Sequence, residues 1–355
     1  MARPLRIGFF GLPLGALLLS GDGHQLQWAV LSPIPQPGRR RLARLLPAIR
    51  RFDLYSPFSG SDSESKLPST CDAGLIDAGP IDAGPIDAGT SWQKTVSELL
   101  AAHPVDLIVS WYFTRRIRAE WIECAPLGAI GVHPSLLPKY RGPDPFYAVI
   151  DAGELVTGVT VHRLTAEYDK GAMLEQRTLE VGERNAWQLA RALDRPSLAA
   201  IRHVTRAFAE GRPPQAQEQN ETAATYAPQP DGEALRANFS WPTNRVMRRI
   251  RALGPVPGLG IEVFGVPLLV CEAIPCDDFP KALLPGEAYI GPRLVIRTGD
   301  GAISVEKAAL DAVQVDSAQG GETEGDPSGD QEPITYSGAD LASILSQARE
   351  KLHAI

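Results

Sequence analysis

The 355-residue sequence has few cysteines and no long apolar run, and both absences restrict the kind of protein it encodes. Its four cysteines are scattered without a C-x-x-C pair, so neither a disulfide framework nor a zinc site is predicted, and a reducing cytoplasm fits best. No stretch approaches the roughly 18 uninterrupted apolar residues of a membrane span. The opening residues could be a secretory signal, but Gly8, Gly11, Pro13 and Gly15 interrupt their apolar run. We therefore predict that they form the first strand and turn of a fold.

Acidic residues are concentrated in two segments that are poor in large apolar side chains. Residues 311–332 carry seven acids and no lysine or arginine; residues 57–91 carry six acids, one lysine and an I-D-A-G repeat. Such segments bury too little apolar surface to offset the entropy lost on ordering, so insertions are predicted over 57–91 and 311–335. Without the two acidic segments, the net charge of −7 becomes +5, and the remaining body is mildly basic.

Apolar strand-like runs alternate with helical patterns over the first 210 residues. The strand-like runs include residues 5–10, 26–31, 105–110 and 127–132, and a long helical pattern covers residues 185–211. This alternation predicts an α/β, Rossmann-like domain with a mostly parallel sheet, whose ligands bind at the carboxyl ends of the strands. The loop that follows the fourth of these runs lies at such an end.

A linker and a second domain are predicted for the rest of the chain. Residues 211–237 are polar, contain proline and lack periodicity, which is typical of a linker. Short strand-like segments with Gly or Pro at the turns follow up to residue 308, and residues 338–352 have a helical pattern. This spacing predicts a small, OB-like β-barrel domain over residues 238–355.

Two arginine-rich stretches are candidates for binding a polyanion. One is a basic arm with six arginines between residues 39 and 51, and the other is a helix predicted to begin near Ser240. Phosphate contacts from such side chains depend on salt and little on base sequence. The alternative is that each stretch is the solvated face of a helix. The candidate residues are Arg39, Arg40, Arg41, Arg245, Arg248 and Arg249.

The stretch GVHPSLLPKYRG, residues 131–142, carries the candidate chemistry. His133 lies on a proline-stiffened loop directly after a strand, and Asp169 lies on a glycine-terminated turn about 35 residues later. A histidine and an aspartate at strand ends can share a proton and polarise a carbonyl group, which is the minimum for acyl-group chemistry. Such a pair is also a common structural hydrogen bond. His162 lies in the strand TGVTVH, and we expect it to pack in the sheet without a role in the site.

Three segments of the sequence resemble a known enzyme family. HPSLLPKYRG, TGVTVH and the D-x-G that begins at Asp169 resemble the 10-formyltetrahydrofolate-dependent formyltransferases, and the start RIGFFGLP with the linker-plus-barrel end is similar to the methionyl-tRNA formyltransferase type. The resemblance implies that His133 stabilises charge on the formyl oxygen, while Asp169 tunes that histidine and assists proton removal from the attacking amine. No metal is implied. The implied folate contacts are Ser135, Leu136, Leu137 and Pro138 and, by position alone, Trp111 and Tyr112.

The sequence departs from that family at one position of the site. The family has an asparagine two residues before the histidine, and this chain has Gly131 there. Glycine has no side-chain amide to polarise the formyl group, and losing one such donor typically lowers the rate by roughly 10²–10³. Thr114 and Tyr112 are possible substitutes by position. Whether Gly131 marks an altered enzyme or a chain that no longer catalyses is left open by the sequence.

The sequence therefore predicts a cytoplasmic, monomeric enzyme that transfers a formyl group from 10-formyltetrahydrofolate to a primary amine. The favoured acceptor is the α-amine of methionyl-tRNA, which the resemblance to that type implies; the basic body and the two arginine-rich stretches agree with it. Within the enzyme class the alternatives are formylation of a small amine, such as an amino sugar or a metabolite, and hydrolysis of the donor. The alternative from another class is a folate- or tRNA-binding paralogue that does not catalyse.

Overall fold

The computed structural model describes residues 3–32, 50–53, 91–310 and 335–353, which fall into two compact units. The first unit contains the chain up to residue 145 together with residues 156–180 and 192–227; the second contains residues 146–155, 181–191 and those from 228 onward. The arginines Arg39, Arg40 and Arg41 and, except for their last residues, the two predicted insertions lie outside the described residues.

A seven-stranded sheet forms the first unit. Its strands are β1 (Arg6–Gly11), β2 (Gln25–Leu31), β3 (Arg50–Asp53), β4 (Leu107–Trp111), β5 (Ala129–His133), β6 (Val156–Arg163) and β7 (Met173–Glu180). They lie in the order β3-β2-β1-β4-β5-β6-β7. The pairs among β1 to β5 are parallel, and β6 and β7 are antiparallel to their neighbours. The prediction of an α/β domain with a mostly parallel sheet is confirmed.

The central strands are apolar because the sheet is covered on both faces. All five residues of β4, LIVSW, are buried, as is typical of a parallel strand between helices. The opening residues form β1 and a helix that starts at Pro13, where proline's missing N–H leaves no helical hydrogen bond unmade. The helices in this part of the chain are α1 (Pro13–Gly21), α2 (Ser91–Ala102), α3 (Ala119–Glu123), α4 (Pro145–Ala152) and α5 (Ala186–Ala209).

Residues 211–227 differ from the predicted linker, since they run along the first unit. Met173 and Gln217 exchange two backbone hydrogen bonds of 2.8 Å. Further on, the Arg141 N–H donates to the carbonyl oxygen of Thr225 and the Ala227 N–H donates to that of Arg141. These are backbone contacts, so the polar composition of the segment could not reveal them. Its role is to close over the loop that follows β5.

The second unit has a six-stranded antiparallel sheet. Its strands are β8 (Leu259–Val263), β9 (Val266–Cys276), β10 (Ala288–Ile290), β11 (Leu294–Arg297), β12 (Ala302–Leu310) and β13 (Thr335–Ser337). The order is β10-β11-β12-β9-β8, and β13 pairs with the second half of β12. Register shifts near Lys307 mark a bulge, which bends a strand and helps a sheet to curl. The prediction of a small, barrel-like second domain is confirmed.

Two helices pack on the core of the second sheet. Helix α6 (Thr243–Leu253) and helix α7 (Gly338–His353) contribute Val246, Ile250 and Leu341 to a cluster with the inward residues of β9 and β12. Helix α6 begins after Pro242, its N-cap residue, and not at Ser240, near which it was predicted to begin. The Thr243 N–H donates to the Asp300 carboxylate. Within the described ranges, every helix is too short or too polar to cross a membrane.

Candidate active site

His133 and Asp169 lie together at the carboxyl end of the parallel strands. Strand β5 ends at His133, and the connection from β6 to β7 carries Asp169 to the same edge of the sheet. Nδ1 of His133 lies 3.5 Å from Oδ1 of Asp169, and only 6% of the His133 side chain is exposed. The sequence separates these residues widely, and the sheet topology brings them together.

Asp169 is held in a fixed orientation by its backbone and its neighbours. Its φ of 55° lies in the left-handed region, which is costly for a residue with a side chain and is common at functional sites. Oδ2 accepts a hydrogen bond of 2.9 Å from the Gly142 N–H. The amide nitrogen of Gln219 donates to the carbonyl oxygens of Asp169 and Gly171. The carboxylate is therefore aimed at His133 by contacts on both sides of its turn.

Both ring nitrogens of His133 face hydrogen-bond acceptors. Nε2 lies 2.6 Å from the carbonyl oxygen of Tyr140, and Nδ1 faces the Asp169 carboxylate. A carbonyl oxygen can only accept, so Nε2 carries a hydrogen, and a hydrogen on Nδ1 satisfies the carboxylate. The two contacts fix the orientation of the ring at the strand end, and a histidine held in this way can stabilise a developing negative charge.

His162 packs in the sheet, as expected, and its ring lies beside Asp169. The side chain is 3% exposed, and its Nε2 lies 3.8 Å from Oδ1 of Asp169. Burial lowers the pKa of His162 to about 4, against the opposing pull of the Asp169 charge. The pairing of β5 with β6 sets His162 opposite Gly131. That register is a property of the folded sheet, so the sequence alone did not reveal it.

The space beside Gly131 is filled by a neighbouring side chain. A Cβ atom added at Gly131 would lie 2.6 Å from Cδ2 of Leu164 and 3.7 Å from Nε2 of His162. Leu164 thus occupies the place that a side chain at position 131 would take. Tyr112, one of the possible substitutes, is partly accessible, but its hydroxyl group is buried, and this burial raises the pKa of its phenol.

The loop over residues 135–138 is locked against β6 and β7. Thr160 Oγ1 donates to the Ser135 carbonyl oxygen at 2.7 Å and accepts from the Leu137 N–H at 3.0 Å. Ser135 and Leu137 are buried, whereas Leu136 and Pro138 stay partly accessible. Trp111 is buried as well, and its indole N–H donates to Ser197. The loop therefore leaves Leu136 and Pro138 partly accessible, while its other residues fix its shape.

A cavity of about 460 Å³ opens beside Asp169 in the first unit. Tyr168 and Tyr226 on its wall are 58% and 66% exposed, and the Arg116 guanidinium lies 5.9 Å from the Tyr168 ring centre. Aromatic faces next to cationic groups suit a flat, partly anionic ligand. The cavity is lined by Arg116, Arg141, Gly142, Ala166, Glu167, Tyr168, Lys170, Ala224, Thr225 and Tyr226.

The arginines of α6 that are candidates for polyanion binding have internal contacts in the second unit. The Asp151 carboxylate accepts hydrogen bonds from Arg245 at 3.2 Å and from Arg249 at 2.7 Å. Arg249 is 7% exposed, so it is a structural residue. Arg248 packs against Gly153. Among the described residues, no cluster of His, Cys, Asp and Glu is arranged to hold a metal ion.

Comparison with known proteins agrees with this architecture. The Formyl transferase family profile matches residues 78–195, and the profile of the Formyl transferase C-terminal domain matches residues 232–319. A methionyl-tRNA formyltransferase of Anaeromyxobacter dehalogenans is 32% identical over 229 residues, which are 63% of this chain and 73% of that protein. The chain belongs to the formyl transferase family. Its candidate site coincides with the part that the first profile covers.

Other members of the formyl transferase family match over shorter stretches. The methionyl-tRNA formyltransferase of Solibacter usitatus is 37% identical over 186 residues, which are 52% of this chain and 59% of that protein. That of Variovorax paradoxus is 30% identical over 215 residues, 59% of this chain and 63% of that protein. The chain thus spans about 60% of the length of these curated relatives.

Solved structures share the fold. HypX from Aquifex aeolicus in complex with tetrahydrofolic acid superimposes with a TM-score of 0.61 at 18% identity, over 96% of this chain and 47% of that one. The sugar 3N-formyl transferase WlaRD gives a TM-score of 0.57 at 15% identity, over 85% of this chain and 97% of that one. At these identities the likeness concerns the formyl transferase fold alone.

Proposed function

We propose that this formyl transferase family member moves a formyl group from 10-formyltetrahydrofolate to a primary amine. The observation that carries the proposal is the buried His133–Asp169 pair beside an open cavity. An oriented histidine ring can stabilise charge on a formyl oxygen, and an oriented carboxylate can accept a proton from an amine. Both groups are present at one edge of the sheet in a chain whose family performs this transfer.

The residues present fit a folate donor, which supplies the formyl group. The exposed faces of Tyr168 and Tyr226 suit a flat heteroaromatic ring, and Arg116 suits an anionic group. Leu136 and Pro138, in the loop after β5, offer apolar contact. Trp111, by contrast, would act through packing, because its ring is buried.

The proposed acceptor is the α-amine of methionyl-tRNA. A relative that carries this activity in its name matches 63% of the chain, and the sequence outside its two acidic segments has a net charge of +5. A basic body attracts RNA through its phosphates. We also propose that the protein works in a reducing cytoplasm as a monomer; the described cysteines Cys124, Cys271 and Cys276 are all free thiols.

Consumption of 10-formyltetrahydrofolate by the purified protein tests the proposal. Three reactions are compared, with methionyl-tRNA, with an amino sugar and without an acceptor. We expect consumption that requires methionyl-tRNA and is lost in the His133→Ala variant. Consumption only with the amino sugar would mean that the acceptor is a small amine. Consumption without any acceptor would mean that the donor is hydrolysed. No consumption in any of the three reactions would overturn the proposed function.

A further inference from the structure

We propose that His162 is a positioning residue of this site, which shares with Asp169 the proton removed from the acceptor amine. This inference rests on the proposed function and adds to it a side chain that acts through Asp169. Three observations support it. Nε2 of His162 lies 3.8 Å from Oδ1 of Asp169, its Nδ1 is held by the carbonyl oxygen of Arg163, and Gly131 lies opposite His162 on the next strand.

The first step concerns which nitrogen of His162 carries a hydrogen. Nδ1 lies 2.9 Å from the carbonyl oxygen of Arg163, which can only accept, so the neutral ring has its hydrogen on Nδ1. Nε2 then presents a lone pair to the Asp169 carboxylate. When Asp169 takes up the proton from the amine, its carboxyl group can donate a hydrogen bond to that lone pair. The pair is thus arranged to hold one proton during the reaction.

The second step concerns why the ring is neutral before the reaction. The charged or titratable groups that act on His162 are Asp169 on the turn, His133 on β5 and Arg141 on the loop after β5. Burial is the largest effect and disfavours the cation, as do His133 and Arg141, while Asp169 favours it; together they lower the pKa of His162. A neutral ring can accept a share of a proton, which a cation could not do.

The third step concerns Gly131. A Cβ atom there would lie 3.7 Å from Nε2 of His162, so a larger side chain would extend across that nitrogen. With glycine at this position, no side chain of residue 131 separates that nitrogen from Asp169.

The chemistry balances without a further reactant. Attack forms a bond between the amine nitrogen and the formyl carbon, and the bond from that carbon to the donor nitrogen breaks. The amine nitrogen loses one proton, and the departing nitrogen gains one. Asp169 accepts the proton, His162 Nε2 shares it, and the pair returns it to the departing nitrogen, while His133 stabilises charge on the formyl oxygen.

Two variants with the same change in chemistry test the inference. His162→Gln removes the imidazole from the site, and His203→Gln removes an exposed histidine that pairs with Glu175 in the same unit. We expect His162→Gln to lower kcat by roughly 10–100-fold with KM for both substrates within about threefold, since a proton relay is lost and no binding contact is. The acid limb of its pH profile should change, because the relay has lost one of its two partners. His203→Gln should match the wild type.

A measurement on the unmodified protein does not depend on variant folding or on activity. Nitrogen-15 spectra of the imidazoles should show His162 with hydrogen on Nδ1, and its Nε2 signal should change in Asp169→Asn. A hydrogen on Nε2, or an unchanged acid limb and kcat in a folded His162→Gln that still transfers formyl groups, would overturn the inference and leave the proposed function standing. A wild type that transfers no formyl group to any amine would overturn both.

Discussion

At the scale of single residues, the site is organised by which atoms can only accept hydrogen bonds. The carbonyl oxygens of Tyr140 and Arg163 fix the hydrogens on His133 and His162, and both rings then face one carboxylate. Asp169 therefore lies between the lone pair of His162, which can accept a hydrogen bond, and the ring of His133, which can donate one. Two histidines in unequal environments can in this way take different roles around one acid.

Gly131 gives a prediction about packing at this scale. Gly131→Asn should lower the free energy of unfolding by about 1–3 kcal/mol, because the added Cβ meets Leu164 and a well-packed core resists extra atoms. The double variant with Leu164→Ala should be less destabilised than the sum of the two single changes. Urea denaturation measures this. The matched control is Gly21→Asn, where no atom lies within 4 Å of the added Cβ; equal effects of the two asparagines would contradict the account.

Asp106 gives a prediction about pH. Its hydrogen bonds from Arg6 lower the pKa of the carboxyl to about 2, from an ordinary value of 3.8. A depressed pKa in the folded state stabilises the protein above the ordinary value and loses this effect as the pH falls through the folded value. The wild type should therefore melt higher than Asp106→Asn at neutral pH, with a gap that closes between about pH 4 and pH 2. The exposed Asp278→Asn is the control, and a gap that does not change with pH would refute the assignment.

At the scale of elements, the segment after α5 supports the site. Gln219 joins the turn of Asp169 to Arg141, because its amide nitrogen donates to the turn and its oxygen accepts from the guanidinium. Arg141 also pairs with Glu221. The element therefore ties together two loops that come from different strands, and it does so with side chains as well as backbone.

Gln219→Ala should release this support. We expect a loss of stability of about 1–3 kcal/mol, since donors of the nearly buried Arg141 lose their acceptor. Hydrogen exchange at the Gly142 amide should quicken, because that amide binds the Asp169 carboxylate. The adjacent, exposed Glu218→Ala is the control. Unchanged exchange in Gln219→Ala would mean that the segment does not hold the turn.

In the second unit, α4 and α6 are joined by a nearly buried ion pair. Asp151→Ala should destabilise this unit by about 3–5 kcal/mol, because it leaves Arg249 buried without its carboxylate. Thermal unfolding monitored on the second unit measures the effect, and the exposed Asp278→Ala provides the comparison. A change no larger than that control would show that Arg249 reaches solvent, as the sequence first suggested.

The sequence predicted the positions of His133 and Asp169 better than those of the residues around them. Strand-and-loop patterns were enough to place His133 and Asp169 at strand ends, since the carboxyl ends of parallel strands meet at one edge. The role of His162 needed the antiparallel register of β5 and β6. Arg249 looked like a surface charge, because nothing in its own segment shows that Asp151, about a hundred residues earlier, accepts from it.

At the scale of the whole molecule, the basic body predicts how salt affects the reaction. If the acceptor is an RNA, KM for methionyl-tRNA should rise by at least about tenfold between about 50 and 200 mM salt, because counterions are released from its phosphates on binding. KM for the folate donor should stay within about threefold over the same range. Steady-state kinetics at several salt concentrations measure both. A flat response for both substrates would point to a small amine as acceptor.

The most direct test of the central claim is the mass of the acceptor after reaction. Methionyl-tRNA is incubated with 10-formyltetrahydrofolate and either the wild-type protein or the His133→Ala variant. The amino acid is then released from the RNA, and its mass is measured by mass spectrometry. We predict that the wild type adds one formyl group to methionine and that the variant is slower by roughly 10²–10⁴. Unmodified methionine after prolonged incubation with folded wild-type protein would contradict the account.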